Sequence, residues 1–455
     1  MEDKIRKALE RPIYPYIYGL SFIIYKSAQY FRSFELFIAF GYFIIYCAIT
    51  YILSFIIRKS YINNVGLILV MLWASLLHFV NFAQKAGFQD PDIPAFFFIF
   101  FYLFVLALLP VADMLAFLIP LKYNTLRNKL ANTFLLISCF VFIAGGIFRN
   151  AALKIDRHIR PIPYLEKSDS QKKKDIVWIL MDEYGSSISL KNQFNFNNPL
   201  DSSLRKNGFT ILDSTRSRFT NTLFSLQSIF NIDDSIAPVN FFEGADLLKQ
   251  GSLVPVLESV GYKFSNLNFF TINSHKPVDN RSGYPEIYPE QLFSGTLFHV
   301  LNNRYKYSVM KCDDYNRKVI EMLGDTLSAG SMPKFIWAHI SIPHAPYCRD
   351  RKGKLLTDNG YGKNDLSFIK KSYLEYLEYG NMVLLKLLKD HPELLEKIVI
   401  ISGDHGPRFS FLENKDYQSW PFVAINIPGK YDTAALKRLR YISELPGFLL
   451  HWLGE

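Results

Sequence analysis

Cysteine is scarce in this chain, which has only four among its 455 residues. Cys47 and Cys139 lie inside apolar runs and are expected to be small buried hydrophobic residues. The other two, Cys312 and Cys348, lie in the polar half of the sequence. This leaves at most one disulfide in that half, which would form if it is exported.

Nucleic-acid-binding signals are also absent. The formal net charge is +10, yet no Arg/Lys stripe is interleaved with aromatic residues and no nucleic-acid motif occurs. The sequence therefore excludes a nucleic-acid partner. Lys and Arg that accumulate beside membrane spans are the simpler source of the charge. There is no internal repeat and no low-complexity segment.

Apolar residues are concentrated in the N-terminal third, in five runs long enough, for the most part, to cross a hydrocarbon core of about 30 Å. The runs occupy residues 12–30, 36–57, 65–82, 93–120 and 131–148. No small-residue cleavage site follows the first run, so a cleavable signal peptide is not expected. Asp113 in the fourth run is either a functional acid facing the bundle or lies beyond the end of the span.

The basic residues around these runs orient the chain. Nine Lys and Arg residues fall in segments on one side, namely Lys4, Arg6, Lys7, Arg11, Arg58, Lys59, Lys122, Arg127 and Lys129. The alternate loops carry little beyond Arg32 and Lys85. The positive-inside rule then predicts a cytoplasmic N-terminus and places everything after residue 150 outside the cytoplasm.

The remaining sequence predicts a linker and one α/β domain. Residues 151–174 are polar and basic, as in a juxtamembrane linker. From residue 175 to 455, short apolar strands alternate with helical stretches, including predicted helices at 315–327 and 366–389. This alternation predicts a mostly parallel sheet with helices on both faces. We therefore expect an all-α transmembrane bundle of about five helices over 1–150, followed by the α/β domain.

Two predicted strands end in acidic or metal-ligating residues. The strand IVWILM runs into Asp182 and Glu183, a candidate site for a hard cation unless Asp182 caps the next helix. The strand IVIIS runs into Gly403, Asp404 and His405, which place an oxygen and a nitrogen ligand side by side. Because these are strand ends, the sheet brings them to one edge.

Two further clusters lie at the ends of predicted elements. In FIWAHISIPHAPY, His339 and His344 are five residues apart, so at least one must project from the loop after the strand. The alternative is one surface and one core histidine. Thr220, Thr222 and Ser225 begin an amphipathic helix, where free amides and the dipole favour a phosphate or an alkoxide. Plain N-capping is the commoner use of such hydroxyls.

In this order, and behind several spans, the four clusters resemble the alkaline phosphatase/sulfatase superfamily. The most similar branch is that of the membrane-anchored phosphoethanolamine and phosphoglycerol (lipoteichoic acid) transferases. The resemblance implies that Glu183, Asp404 and His405 are metal ligands and that Thr222 is the nucleophile. Asp182 matches the first acid of the sulfatases' pair, where the transferases often have glycine.

The resemblance also implies roles for the basic residues, and the sequence departs from the family pattern at two places. His339 and His344 match the histidine pair that serves the phosphoryl and leaving groups, and Arg408 is expected to bind substrate with them. No Cys-x-Pro-Ser-Arg sequence occurs, which disfavours a sulfatase with a modified cysteine. No histidine follows His405 until His451, although the transferases place another ligand shortly downstream.

The expected mechanism is a double displacement. A divalent cation, with Zn²⁺ favoured over Mn²⁺ or Mg²⁺ by affinity order, would be held by Asp182, Glu183, Asp404 and His405. It would also bind the oxygen of Thr222 and so lower the pKa of the Thr222 hydroxyl. Thr220 is the rival nucleophile; Thr222 is preferred because Ser225 follows it on the same helix face.

The expected function is transfer of a phosphoethanolamine- or phosphoglycerol-type group from a membrane lipid to an envelope glycan or lipid. The enzyme would be a multi-pass protein of a bacterial-type inner membrane, with its catalytic domain periplasmic or extracellular. The alternatives are a membrane-anchored phosphate or sulfate ester hydrolase and an inactive scaffold.

Overall fold

The computed structural model describes residues 124–152, 173–233, 241–279, 309–330, 332–356, 365–409 and 414–454, with residue 238 and part of the segment 2–51. These residues belong to two compact units, the first within 2–152 and the second within 173–454. The domain boundaries expected from the sequence stay predictions.

The described part of the first unit includes two helices, α1 (Glu2–Leu9) and α2 (Asn124–Ala152). The side-chain amide of Asn132 donates to the carbonyl oxygens of Leu9 and Arg11, at 2.7 and 2.8 Å. Asn128 likewise donates to Glu10 at 3.1 Å. These bonds satisfy carbonyl groups that the C-terminal end of α1 leaves without an intrahelical partner.

The fifth predicted span, 131–148, lies within α2 and is helical as expected. Among the described residues, however, no helix combines the length and the apolar character that crossing a membrane requires. The other four predicted spans, Asp113 and most of the predicted linker 151–174 lie largely or wholly outside the described residues.

The second unit is an α/β domain. Its described helices are α3 (Ser187–Phe194), α4 (Leu200–Lys206), α5 (Thr222–Asn231), α6 (Phe241–Lys249), α7 (Leu253–Ser259), α8 (Val309–Ser328), α9 (Leu366–Asp390), α10 (Thr433–Lys437) and α11 (Leu445–Gly454). The helices predicted at 315–327 and 366–389 correspond to α8 and α9. Three short 3₁₀ helices lie at Pro392–Glu396, Lys415–Ser419 and Ile442–Glu444.

The described strands form one six-stranded sheet. They are β1 (Ile176–Met181), β2 (Thr210–Ile211), β3 (Lys263–Leu267), β4 (Lys334–Ile340), β5 (Ile398–Ser402) and β6 (Val423–Asn426). Their spatial order is β2-β6-β5-β1-β4-β3. The neighbours β5-β1-β4-β3 are parallel, whereas β6 is antiparallel to both of its neighbours. The sheet is therefore mixed at one side and parallel through its centre.

The central strand β1 is enclosed on both faces. All six of its residues are buried, which explains why its sequence is a continuous apolar run. Trp178 lies against Trp337 of β4, with ring centroids 5.0 Å apart, and Phe230 of α5 contacts Trp337 at 4.7 Å. Fully burying an aliphatic or Phe side chain contributes roughly 1.5–3 kcal/mol. The strand that carries the acid pair is thus among the best anchored parts of the domain.

The strand register aligns the predicted clusters. Leu180 of β1 pairs with both His339 of β4 and Ser402 of β5, and Leu267 of β3 pairs with Ala338. The residues after β1, β3 and β5, and the last residues of β4, therefore lie along one edge of the sheet. This is the edge at which open α/β sheets bind ligands.

The cysteines of the domain are thiols. Cys312 and Cys348 are both fully buried and do not form a disulfide. The Cys348 thiol donates to the carbonyl oxygen of Pro346 at 3.1 Å. The disulfide that the sequence left open is therefore not formed, and both cysteines behave as buried small side chains.

Two glycines bring the segment after β5 against its neighbours. A Cβ added at Gly403 would fall on the carbonyl oxygen of Tyr184, and one added at Gly406 would fall on that of Tyr417. The Gly403 and Gly406 amides donate to Phe422 and Gln418, each at 2.8 Å. These contacts are backbone to backbone, so no side chain can move to make room.

We predict that Gly403→Ala lowers the free energy of unfolding by about 3 kcal/mol, because the added methyl group overpacks a rigid backbone contact. Gly447→Ala is the matched control, since its nearest neighbour is at 3.7 Å and it lies in α11. There alanine should be neutral or stabilise by up to about 1 kcal/mol. Thermal unfolding of the full chain measures both, and equal Tm values for the two variants would contradict the steric argument.

Candidate active site

Three residues from two strand ends form a compact cluster of ligand atoms. One atom each of Asp182, Asp404 and His405 lies within 4.8 Å of the others. Asp404 and His405 are fully buried, and Asp182 is nearly so. Among the described residues this is the one group of at least three His, Cys, Asp or Glu with such spacing. The structure thus brings together three of the five metal-binding residues predicted from the sequence.

The hydrogen bonds of His405 show that a cation fits this cluster. His405 Nδ1 lies 2.8 Å from the carbonyl oxygen of Gly406, so Nδ1 carries the hydrogen and Nε2 carries the lone pair. Nε2 then faces Asp404 Oδ2 at 3.1 Å. Among the described residues neither atom has a hydrogen-bond partner, although both are buried. Two buried lone pairs that face each other are unfavourable unless a proton or a metal cation lies between them, and imidazole with carboxylates is a donor set that Zn²⁺ accepts.

Asp404 is held by Glu183, which follows the neighbouring strand β1. Its Oδ1 accepts a hydrogen bond from the backbone amide of Glu183 at 2.9 Å. Glu183 has φ = 64°, in the left-handed region, which costs a non-glycine residue roughly 1–3 kcal/mol. Its carbonyl oxygen accepts from Tyr373 Oη at 3.0 Å. The strained residue therefore orients the Asp404 carboxylate and leaves Oδ2 directed toward His405.

Thr222 lies beside the cluster, as predicted. It is the first residue of α5 and is 6% exposed. Its Oγ1 donates to Asp182 Oδ1 at 3.3 Å. Asn221 at the N-cap makes no side-chain capping bond, and Thr222 itself does not serve as the cap. The alternative reading of Thr222 as a plain N-cap is therefore not what the structure has.

Thr220 and Ser225 occupy different environments. The Thr220 side chain is exposed, and its carbonyl oxygen accepts from Arg408 NH1 at 3.2 Å. Ser225 Oγ is within 3.0 Å of Ser217 Oγ and donates to the carbonyl oxygen of Phe219 at 3.0 Å. Ser225 thus fastens the loop before α5 and does not face the acids. Of the three hydroxyls, only Thr222 is placed against a member of the cluster.

Glu183, His344 and Arg408 form a second corner of the site. The Arg408 amide donates to Glu183 Oε1 at 2.8 Å, and Arg408 Nε lies 3.5 Å from the same oxygen. Arg408 NH2 donates to His344 Nε2 at 3.0 Å. The Glu183 carboxylate is therefore engaged by Arg408 rather than directed into the three-residue cluster. Its assignment as a metal ligand stays a prediction.

His339 approaches the cluster from β4. It is fully buried, and its Nε2 lies 3.4 Å from Asp182 Oδ2. Its Nδ1 lies 2.8 Å from Oδ1 of Asn268, which directly follows β3. Sequence reasoning missed Asn268, although a polar residue directly after an apolar strand was the signal that singled out the other clusters.

The charges of the cluster shift its pKa values in opposite directions. Burial raises the pKa of Asp182, but the nearby His344, His339 and His405 outweigh burial and bring the pKa well below its usual range. Burial lowers the pKa of His405, against the opposing effect of Asp404. Burial also lowers the pKa of His344, yet Asp182 and Glu183 raise it more. At neutral pH Asp182 is therefore ionised and His405 is neutral, the forms that bind metal.

Comparison with known proteins gives similarities to solved structures alone. No protein-family model and no curated protein matches the chain. The integral membrane protein lipooligosaccharide phosphoethanolamine transferase A from Neisseria meningitidis is 14% identical, with a TM-score of 0.42, over 96% of this chain and 93% of that one. The C-terminal periplasmic domain of EcEptC from Escherichia coli, in complex with Zn, is 14% identical with a TM-score of 0.40, over 64% and 84%.

A protein in the alkaline phosphatase superfamily from Vibrio parahaemolyticus is also similar, at 14% identity and a TM-score of 0.39, over 67% of this chain and 73% of that one. These solved structures come from the superfamily, and two of them from the transferase branch, that the sequence motifs resemble. Similarities of this size assign neither an activity nor a substrate to this chain.

We predict that Zn²⁺ stabilises the full chain and that His405→Ala removes this effect. At free zinc 100-fold above the Kd, binding to the native state alone would add about 2.7 kcal/mol to stability. His275→Ala is the control, because His275 is a half-buried histidine paired with Glu258 at 3.1 Å, outside the cluster. Thermal unfolding with zinc or with EDTA measures the shift. An equal shift in His405→Ala would place the bound zinc elsewhere.

Proposed function

We propose that the chain is a metal-dependent transferase that moves a phospho-substituent of the phosphoethanolamine or phosphoglycerol type through a covalent intermediate on Thr222. The contact of Thr222 Oγ1 with Asp182 Oδ1, at 3.3 Å, carries this proposal. It places a hydroxyl at a helix N-terminus and against an acid of the candidate metal cluster. A nucleophile needs this combination of an oriented proton and nearby positive charge.

The protein groups have distinct tasks in the covalent step. A divalent cation bound by Asp182, Asp404 and His405 would supply the positive charge that lowers the pKa of a neighbouring hydroxyl. Asp182 orients the Thr222 O–H, and the N-terminal amides of α5 favour negative charge at that position. With the hydroxyl proton released to solvent, the Thr222 Oγ–P bond forms as the bond from phosphorus to the donor's alkoxide breaks.

Arg408 and His344 serve the other side of the phosphoryl group. Arg408 is a fixed positive charge for the equatorial oxygens, and its planar guanidinium matches phosphate. His344 has a pKa above its usual value. Its Nε2, which lies against Arg408 NH2 in the free site, would carry the proton for the departing alkoxide once the phosphoryl oxygens engage the guanidinium. In the second step a hydroxyl of the acceptor attacks the phosphorus, the now neutral His344 takes the proton of this hydroxyl, and Thr222 leaves as the alkoxide. Both displacements thus use the same residues in reverse order.

We also propose that the donor is a membrane lipid, that the acceptor is an envelope glycan or lipid, and that the catalytic domain lies outside the cytoplasm. The five apolar runs and their charge bias support this placement. The helix α2 adds a structural observation, because Leu130, Phe134 and Ile137 are each more than half exposed along one of its faces.

We predict that the full chain, incubated with zinc and a bacterial lipid extract but without an acceptor, gains a covalent mass increment that Thr222→Ala abolishes. Thr220→Ala is the matched control, since it removes an exposed hydroxyl two residues away and should retain the increment. Intact-mass spectrometry reads the result, and the size of the increment identifies the group transferred.

The opposite pattern, an increment lost in Thr220→Ala and kept in Thr222→Ala, would transfer the nucleophilic role to Thr220. Release of a soluble phosphoester without an increment would favour hydrolysis, with water as the second acceptor. If protein that binds zinc gives no mass increment and releases no product, this result would contradict the proposed transferase.

A further inference from the structure

We propose that Asn268 is a positioning residue that fixes the tautomer of His339 and so keeps Asp182 available to the candidate metal cluster. The inference deepens the proposed function and rests on it for the role of the cluster. It concerns the protein's own hydrogen bonds, and it can be tested through zinc affinity without any turnover.

The sheet register brings Asn268 to the site. Leu267 pairs with Ala338, so the next residues along the two parallel strands are Asn268 and His339. Both side chains are fully buried. The Asn268 carbonyl oxygen also accepts from the Val278 amide at 2.9 Å, which holds its backbone in place. Asn268 is thus a fixed neighbour of His339 at the edge that carries the acids.

The amide of Asn268 has one defined orientation. Its Oδ1 accepts from the backbone amide of Phe269 at 2.7 Å, so the oxygen and not the nitrogen faces this donor. The same oxygen lies 2.8 Å from His339 Nδ1. Nδ1 must therefore carry a hydrogen, and in the neutral ring the lone pair is at Nε2.

The ring of His339 is held so that Nε2 faces Asp182. The Phe269 ring packs on it with centroids 4.5 Å apart, and Tyr315 Oη donates to the His339 carbonyl oxygen at 2.7 Å. Nε2 lies 3.4 Å from Asp182 Oδ2 and makes no hydrogen bond. A lone pair at this position does not engage Oδ2, whereas an Nε2–H would donate to it.

A gain in stability does not explain the contact between Asn268 and His339. The Nδ2 group of Asn268 is buried and has no hydrogen-bond partner in the part of the chain that the structure describes. A buried donor left unsatisfied lowers stability. An apolar residue would remove this cost, so the amide oxygen and its effect on His339 are what asparagine contributes here.

Removing that oxygen should change the cluster. In Asn268→Leu, nothing accepts from Nδ1, and the neutral ring can move its hydrogen to Nε2 and donate to Asp182 Oδ2. Asp182 then becomes a weaker ligand. Loss of a residue that orients a metal site in this way typically lowers metal affinity by roughly 10–100-fold. We expect a fall in zinc affinity of this size.

The test is a double-mutant cycle on the full chain in detergent, with zinc affinity measured by competition against a chromogenic chelator. Asn268→Leu should weaken zinc binding roughly tenfold or more in the wild-type background and have no further effect in the His339→Ala background. Asn268→Ala, which removes the same oxygen without adding apolar bulk, is run in parallel in case the leucine variant does not fold. An unchanged affinity, or an equal loss in both backgrounds, would overturn the proposal.

Asn266→Ala is the matched control. Asn266 lies two residues earlier on β3 and is also buried, but its Nδ2 donates to the carbonyl oxygens of Phe270 and His275 and has no contact with the cluster. It should lower the Tm while leaving zinc affinity within about twofold of wild type, whereas loss of a residue that orients a metal ligand typically costs roughly 10–100-fold. A zinc-affinity loss equal to that of Asn268→Ala would mean that general loosening of β3 explains the result.

The outcome is independent of the covalent step. If the cycle shows coupling but Thr222 gains no mass increment, the positioning role stands and the transferase proposal fails. If Thr222 is modified but Asn268 and His339 are uncoupled, the transferase proposal stands and this inference fails.

Discussion

The 3.1 Å approach of His405 Nε2 to Asp404 Oδ2 is the contact on which the site depends. Both atoms carry lone pairs and both are buried, so the arrangement is unfavourable by itself. The surrounding backbone holds it in place. Gly406 fixes the His405 ring through its carbonyl oxygen, and Glu183 fixes the Asp404 carboxylate through its amide. A fold that imposes this repulsion in its interior is preorganised for a cation, because the structural cost has already been met when the cation arrives.

The energetic cost of the repulsion between His405 and Asp404 is distributed over rigid backbone elements. The segment after β5 leaves no space for a Cβ at Gly403 or Gly406, and the residue opposite, Glu183, has a left-handed backbone. These features destabilise the domain locally. The central strand β1, buried on both faces, and the Trp178–Trp337 contact beneath the edge offset them. The apolar centre of the sheet therefore stabilises the strained polar edge and holds it in place.

Sequence reasoning identified the parallel strands and the residues at their ends, because a continuous apolar run followed by acids or His is a local pattern. It did not reveal that β6 runs antiparallel to both of its neighbours, since a strand of four residues carries no direction in its sequence. It grouped Glu183 with the metal ligands but could not show that Arg408, 225 residues away, contacts the same carboxylate. Asn268 was missed because a single asparagine after a strand is common. Only the register with β4 shows that it meets His339.

The two corners of the site differ in how they carry positive charge, and this difference bears on the chemistry. One corner has a donor set for a cation. The other has Arg408, whose guanidinium contacts Glu183 and His344 and reaches the carbonyl oxygen of Thr220 beside the proposed nucleophile. A guanidinium needs no deprotonated ligand set and stays charged at any physiological pH. In the proposed function, Arg408 would neutralise part of the charge on the equatorial oxygens of a singly charged diester. A monoester would bring one more negative charge into a corner that already holds the Glu183 carboxylate, so the proposed diester transfer suits the charge pattern of the site.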